Sequence, residues 1–344
     1  MSQPTHIIDP DGEVIILLRN ENFQFAPLKE DVITEPVKEG SVPEDKPVPE
    51  EAVEEFRIQV SAKHLTLASP YFKSLLTSRW KESIAYFEKA HTEVSMEDCS
   101  IEALLILLRV IHCQYYQVPK TLSFEMLAEV ASLTDYYKCR EAVDVLAERW
   151  IIALEENIPT SYSRDVILWM WISWFFNLPV QFKQATSTAM TCSNGLIVDL
   201  GLPIPQHILG KKQTSFLLNP TADEIAGLLN DRRQKAIGNL FDLVQETHEA
   251  FLNGARGCDF ECSSIMYGAL AKNMFSKGFS QRAVIPYPKL SYKSLLQTVL
   301  SFDSPKWGGS RPHRHSCSDS SFLTLFNHLD GSIEGLDIYP YFKS

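Results

Sequence analysis

The longest strongly apolar stretch, Val166–Phe176, runs for only 11 residues before Asn177. A bilayer-spanning helix needs about 20, so this stretch predicts a core helix. The first ten residues hold neither the basic cluster nor the apolar core of a secretory leader. Positive charge is scarce: 32 Lys and Arg stand against 43 Asp and Glu, a formal net charge of −11. Affinity for phosphate comes from Lys and Arg, so nucleic acid and acidic membranes are disfavoured as general partners. Cysteine is also sparse. Seven cysteines, an odd number scattered over 344 residues, do not form a disulfide framework. They fit reduced thiols inside a cell, in the cytoplasm or nucleus. Catalytic signatures are missing too. There is no Gly-x-Ser-x-Gly elbow, phosphate-binding glycine loop, dinucleotide fingerprint or His-Glu-x-x-His helix. The expectation is a protein that is not an enzyme.

What is present suffices for packed cores. Hydrophobic residues make up 45% and aromatic residues 11% of the chain, which excludes global disorder. The length predicts two domains. Between Lys29 and Glu55, three lysines face ten acidic residues, and Pro36, Pro43, Pro47 and Pro49 interrupt the stretch. Repeated prolines and self-repelling carboxylates predict a solvated, disordered acidic loop at about 29–55. On its two sides lie strand patterns. Val14–Leu18 is a continuous apolar run, and Phe56, Ile58 and Val60 alternate with Arg57, Gln59 and Ser61. The two are expected to pair, with the loop as an overgrown hairpin connection.

Ser69-Pro70 is an N-cap followed by proline at the first helical position. Helical spacing continues at Ile101–Ile111, Ser123–Tyr136 and Cys139–Leu154, with a third strand within His91–Met96. Strands followed by clustered helices predict an α+β fold. The second half reads as mostly α-helical, with helices at Arg164–Leu178, Ala222–Asn253, Ser263–Lys277, Tyr292–Phe302 and Ser321–Leu329. Cys99, Cys113, Cys139, His64 and His112 sit among apolar residues and are expected in the core.

The run Val60–His64-Leu65 through Leu67-Ala68-Ser69-Pro70-Tyr71-Phe72-Lys73-Ser74-Leu75-Leu76 resembles the core of a BTB/POZ domain. The resemblance covers roughly Asp9 to Leu154. It departs from many animal members at Ser61, where they carry a His-Lys pair, and at the acidic insertion. Those departures, with the helical second half, resemble the large BTB group of filamentous fungi. The implied organisation is a BTB/POZ domain at 9–154 and a helical region at 155–344. The implied function is a non-enzymatic protein–protein interaction module, a self-associating scaffold, homodimer or adaptor. A subset of the family docks onto cullin-type ubiquitin ligases through a hydrophobic-x-Glu pattern after the Ser-Pro-x-Phe helix. Trp80-Lys81-Glu82 stands at that position, which makes Trp80 and Glu82 the candidate partner-binding residues.

One constellation has metal-ligand spacing. Cys258 and Cys262 are separated by three residues, and His313, His315 and Cys317 alternate some 50 residues later. Three thiolates and one imidazole suit a closed tetrahedral zinc site. Cys258, Cys262, His315 and Cys317 are the candidate ligands of one structural zinc ion, with His313 as the substitute. Cys258 and Cys262 would share a face if both lay on a helix. The alternative function is a zinc-containing, transcription-related regulator that contacts nucleic acid through its second half.

Overall fold

The computed structural model describes residues 3–20, 23–27, 54–82, 92–154, 158–205, 208, 227–306, 315 and 317–338. It divides into two units. The first comprises Met1–Asn157, Trp171–Asn177 and Leu200–Pro203; the second comprises Ile158–Met170, Leu178–Asp199 and Ile204–Ser344. The expected loop at 29–55 lies outside the described residues, except for Glu54 and Glu55, which are already strand.

In the first unit, β1 (His6–Ile7), β2 (Val14–Asn20), β3 (Glu54–Val60) and β4 (Thr92–Met96) form a mixed sheet in the order β1-β3-β2-β4. β2 is central. It pairs antiparallel with β3, from Val14↔Val60 to Asn20↔Glu54, and parallel with β4. A strand covered on both faces needs an unbroken apolar run, and Val14 to Leu18 are all buried. β3 alternates as a half-buried strand should: Ile58 and Val60 are buried while Arg57 reaches Glu93 on β4 at 2.6 Å. The sequence reading missed β1, whose two residues are too few to carry a period; it pairs parallel with β3. Gly12 turns the chain into β2 against β3. A Cβ there would lie 2.5 Å from the Val60 carbonyl carbon, so the turn has no room for a side chain.

Helices α1 (Ala62–Ala68), α2 (Pro70–Glu82), α3 (Ile101–Ile111), α4 (Phe124–Tyr136) and α5 (Arg140–Ile152) follow. Ser69 works at both ends of one connection. Its Oγ accepts from Phe72 N at 3.1 Å, capping α2, and donates to the carbonyl of Tyr137 just past α4. Ser100 caps α3, and its own N–H donates to the buried carboxylate of Glu129 on α4 at 2.6 Å. His112 closes α3. Its Nε2 accepts from Ser61 N at 3.0 Å, so the proton sits on Nδ1, which donates to the Leu108 carbonyl at 2.7 Å. The His64 ring stacks on it at 4.9 Å. Cys99 and Cys139 are buried as expected, whereas Cys113 is exposed. Cys113 follows the end of α3 with φ +58, and this left-handed turn carries it off the apolar stripe.

α6 (Arg164–Phe175) is buried without a break from Val166 to Ser173, as its all-round apolar surface requires. The expected single helix to Leu178 instead ends at Phe175, and the chain turns at Asn177, where φ is +56. A further helix, α7 (Pro179–Cys192), starts with Pro179 in its first turn. α8 (Leu228–Leu252), α9 (Phe260–Ser276), α10 (Tyr292–Leu300) and α11 (Phe322–Phe326) complete the described helices of the second unit. Residues 222–226 of the expected long helix lie outside the described residues. Ile237, Leu240, Val244, Met266, Leu270 and Val299 form its core. Phe302 meets Phe279, Phe322 and Phe326 edge-to-face at 5.6 to 6.3 Å.

Candidate functional site

The chain leaves α8 at Asn253, turns at Gly254 (φ +74), and enters a short loop that ends at α9. Asp259 caps α9, its Oδ1 accepting from Cys262 N at 2.7 Å. Cys262 therefore lies in the first turn of the helix, while Cys258 precedes it. The two cysteines do not both lie on the helix, so the condition for a shared helical face is not met. The reason is local: Gly257 stands at φ +94, and Asp259 is a strong helix-starting residue placed between the two cysteines. Gly257 also passes so close to α9 that a Cβ would sit 2.8 Å from Ser263 N.

Across from this loop stand His315 and Cys317. Cys258 Sγ and His315 Nε2 are 3.6 Å apart, and Cys262 Sγ and Cys317 Sγ are 3.8 Å apart. All four ligand atoms lie within 4.8 Å of one another. Zinc bonds of about 2.3 Å to sulfur and about 2.0–2.1 Å to nitrogen give tetrahedral edges of about 3.8 Å between sulfurs and about 3.6 Å between sulfur and nitrogen. These two separations match those edges, and the remaining pairs lie within 4.8 Å. A disulfide would need about 2.05 Å, and all seven cysteines are free thiols. The donor set and its spacing fit a tetrahedral cation. The candidate substitute, His313, lies outside the described residues.

Burial holds the Cys262 thiol up at about 12, with its Cys317 neighbour adding to the rise and a backbone hydrogen bond from Cys258 opposing it. The Cys258 thiol is exposed yet also shifted upward, by local desolvation first and then by its contact with Cys317. Without a cation, the Cys258 and Cys262 thiols thus favour keeping their protons. A bound divalent ion reverses that preference, since a coordinating thiol is deprotonated outright.

Asp319 fastens the two arms together, although the sequence reading did not single it out. Its carboxylate accepts from Arg256 Nη1 at 3.0 Å and from Gly257 N at 2.9 Å. On the other arm, Ser320 Oγ donates to the Cys317 carbonyl at 2.8 Å. Groups outside the ligand shell that fix its loops govern metal affinity. The available sequence signals were Gly257 beside Cys258 and an acid two residues after Cys317; neither points to the other across 62 positions.

Trp80 and Glu82 close α2, but their side chains lie outside the described residues. Among the described residues, no helix is long and apolar enough to cross a membrane. Comparison with curated proteins gives no match. The family model of the BTB/POZ domain matches residues 52–151. That stretch spans β3, α1 to α4, β4 and nearly all of α5, and the chain therefore carries a BTB/POZ domain, a protein–protein interaction module.

Proposed function

We propose that this chain is a non-enzymatic interaction protein, a self-associating scaffold or adaptor of the type found in filamentous fungi. Its BTB/POZ half, 9–154, receives the partner. Its helical half, 155–344, is stapled by one zinc ion on Cys258, Cys262, His315 and Cys317. The observation that carries the reading is the BTB/POZ domain itself. The tetrahedral edges of the Cys3His group support the metal.

A cullin-type scaffold is the partner class that Trp80-Lys81-Glu82 favours. An aromatic anchor beside an orienting carboxylate is the kind of pair that dominates interface energetics. Trp80→Ala combined with Glu82→Ala should abolish co-purification with the cullin and leave the thermal midpoint nearly unchanged. Unchanged co-purification would remove the docking role, and a collapsed midpoint would assign Trp80 to the domain's own core.

The Cys3His group also favours a second reading, a zinc-containing regulator that contacts nucleic acid through its second half. The net charge of −11 opposes it. DNA binding that weakens steeply with salt would support this second reading, because each neutralised phosphate releases counterions. No DNA binding is expected from the first.

A further inference from the structure

Within the first unit, a cavity of about 990 Å³ opens beside the end of β4 and the last turn of α4. Its volume is at the upper end of the range of ordinary ligand sites. Three tyrosines form one part of the wall. Tyr71 lies 5.5 Å from Tyr136 and 5.4 Å from Tyr137, and Tyr136 and Tyr137 are 4.9 Å apart. Tyr137 is buried and stacked on Phe72, while Tyr71 and Tyr136 are exposed and offer the electron-rich surfaces that attract cations. Four carboxylates, Glu97, Asp98, Glu129 and Asp135, also line the wall. Lys138 is the only cation on it among the described residues, and that lysine is paired with Asp135 at 3.2 Å.

Glu129 is 5% exposed and spends one oxygen on Ser100 N. Burial pushes its carboxyl upward, with neighbouring Glu102 and Glu125 adding to the rise and the Ser100 hydrogen bonds opposing it. The wall therefore combines aromatic faces with negative charge that has too few positive partners. The chain's own acidic stretch is a poor occupant. It follows Pro27 on the cavity wall and carries ten acids against three lysines, the same sign as the wall. A cation on an apolar stem is complementary to both parts of the lining.

We propose that this cavity receives an arginine side chain from a basic segment of a partner protein. The assignment rests on the protein-interaction reading and names the chemistry of one partner. The guanidinium stacks on Tyr71 and Tyr136, the two exposed rings, and its N–H donors go to Glu97, Asp98 and Asp135. A planar fork suits this lining better than a point charge, because it stacks and donates in plane at once.

The test uses the full-length chain and a short peptide of alternating alanine and arginine, titrated by calorimetry beside the same peptide with citrulline in place of arginine. Citrulline keeps the shape and loses the charge. The arginine peptide should bind saturably and at least about tenfold more tightly than the citrulline one. Glu97→Gln with Asp98→Asn should weaken it by about tenfold. Asparagine tolerates the left-handed backbone of Asp98, where φ is +59. Tyr136→Leu, which keeps apolar bulk but removes the ring, should weaken it by about fivefold. Both variants alter exposed positions, so their melting curves should overlay the parent's. No saturable binding, equal affinity for the citrulline peptide, or unchanged affinity in both variants would overturn the assignment. Cullin co-purification dependent on Trp80 and Glu82 would survive such a failure, which separates this proposal from the reading beneath it.

Discussion

The two units satisfy their buried polar groups in different ways. In the first, the sheet ladder absorbs most strand backbone donors and acceptors, and the remaining polar bonds join neighbouring helix ends through Ser69, Ser100 and His112. In the second, no strand is found among the described residues, and long connections cross between helices. Their backbone groups are met by single side chains. Arg233 is wholly buried and donates to the carbonyls of Ser193, Pro286, Tyr287 and Leu290. Asn230 holds Ile197 by both its N–H and its carbonyl, and Asn273 does the same for Asp303. Thr186, Ser187 and Thr191 on α7 fasten the backbone of 333–336. Regular structure distributes the polar load over many equivalent bonds; irregular structure concentrates it on a few residues. The second unit is therefore the one that a single substitution can break.

Arg233→Met tests that contrast most severely. It keeps much of the apolar volume and strands four carbonyls together. The expected cost is on the order of 3–5 kcal/mol, seen as a second-unit unfolding transition about 10 °C lower, with the first unit unmoved. Equal loss in both units, or none, would show that the polar load is shared more widely than this geometry implies.

Metal removal comes next. Purified protein should carry about one zinc per chain. A chelator should loosen the second unit alone, because all four ligands belong to it. Cys262→Ser and Cys317→Ser should reproduce the chelator's effect, and Cys113→Ser should leave metal content unchanged. Asp319→Asn should weaken zinc by about 10- to 100-fold without removing a ligand. A metal-free chain whose melting curve ignores the chelator would end the zinc reading.

The smallest effect belongs to the first unit and to pH. Burial lowers the pKa of His112, the Leu108 hydrogen bond opposes this, and His64 adds to the lowering. The folded state therefore favours the neutral ring, with Nε2 accepting from Ser61. The unfolded state binds a proton first as pH falls through about 6.5, so stability declines from there down to the lower folded pKa. Thermal midpoints of the first unit, recorded from pH 7.5 to 5, should drift downward, and His112→Asn should flatten the drift. An identical slope in the variant would assign the pH response to other groups.

Most of the first unit was legible because its signals are periodic and its motif is contiguous. Val14–Leu18, Phe56–Val60 and the Leu67–Leu76 run state their own structure. The break between α6 and α7 was not legible, since Trp174, Phe175 and Phe176 extend the apolar run to the turn at Asn177. Pro179 was the available sign of a new helix. The four proposed ligands could be proposed from residue type and spacing. Their meeting could not, because it depends on Asp319 reaching Arg256 and Gly257 across a fold that no local pattern encodes. Nor could the tyrosine-lined cavity, whose wall gathers residues from separate helices, a strand end and the 23–27 stretch.

The β2–β3 pairing reaches its last register pair at Asn20↔Glu54, so the chain departs and returns at adjacent points, about 4.8 Å apart across the ladder. The 33 residues between them leave the sheet's register independent of their number. Closing a flexible connection costs only about 0.6 kcal/mol more for each doubling of its length. This hairpin end is thus a port in the architecture, where foreign sequence or an added module can be spliced in while the strands on either side keep their partners.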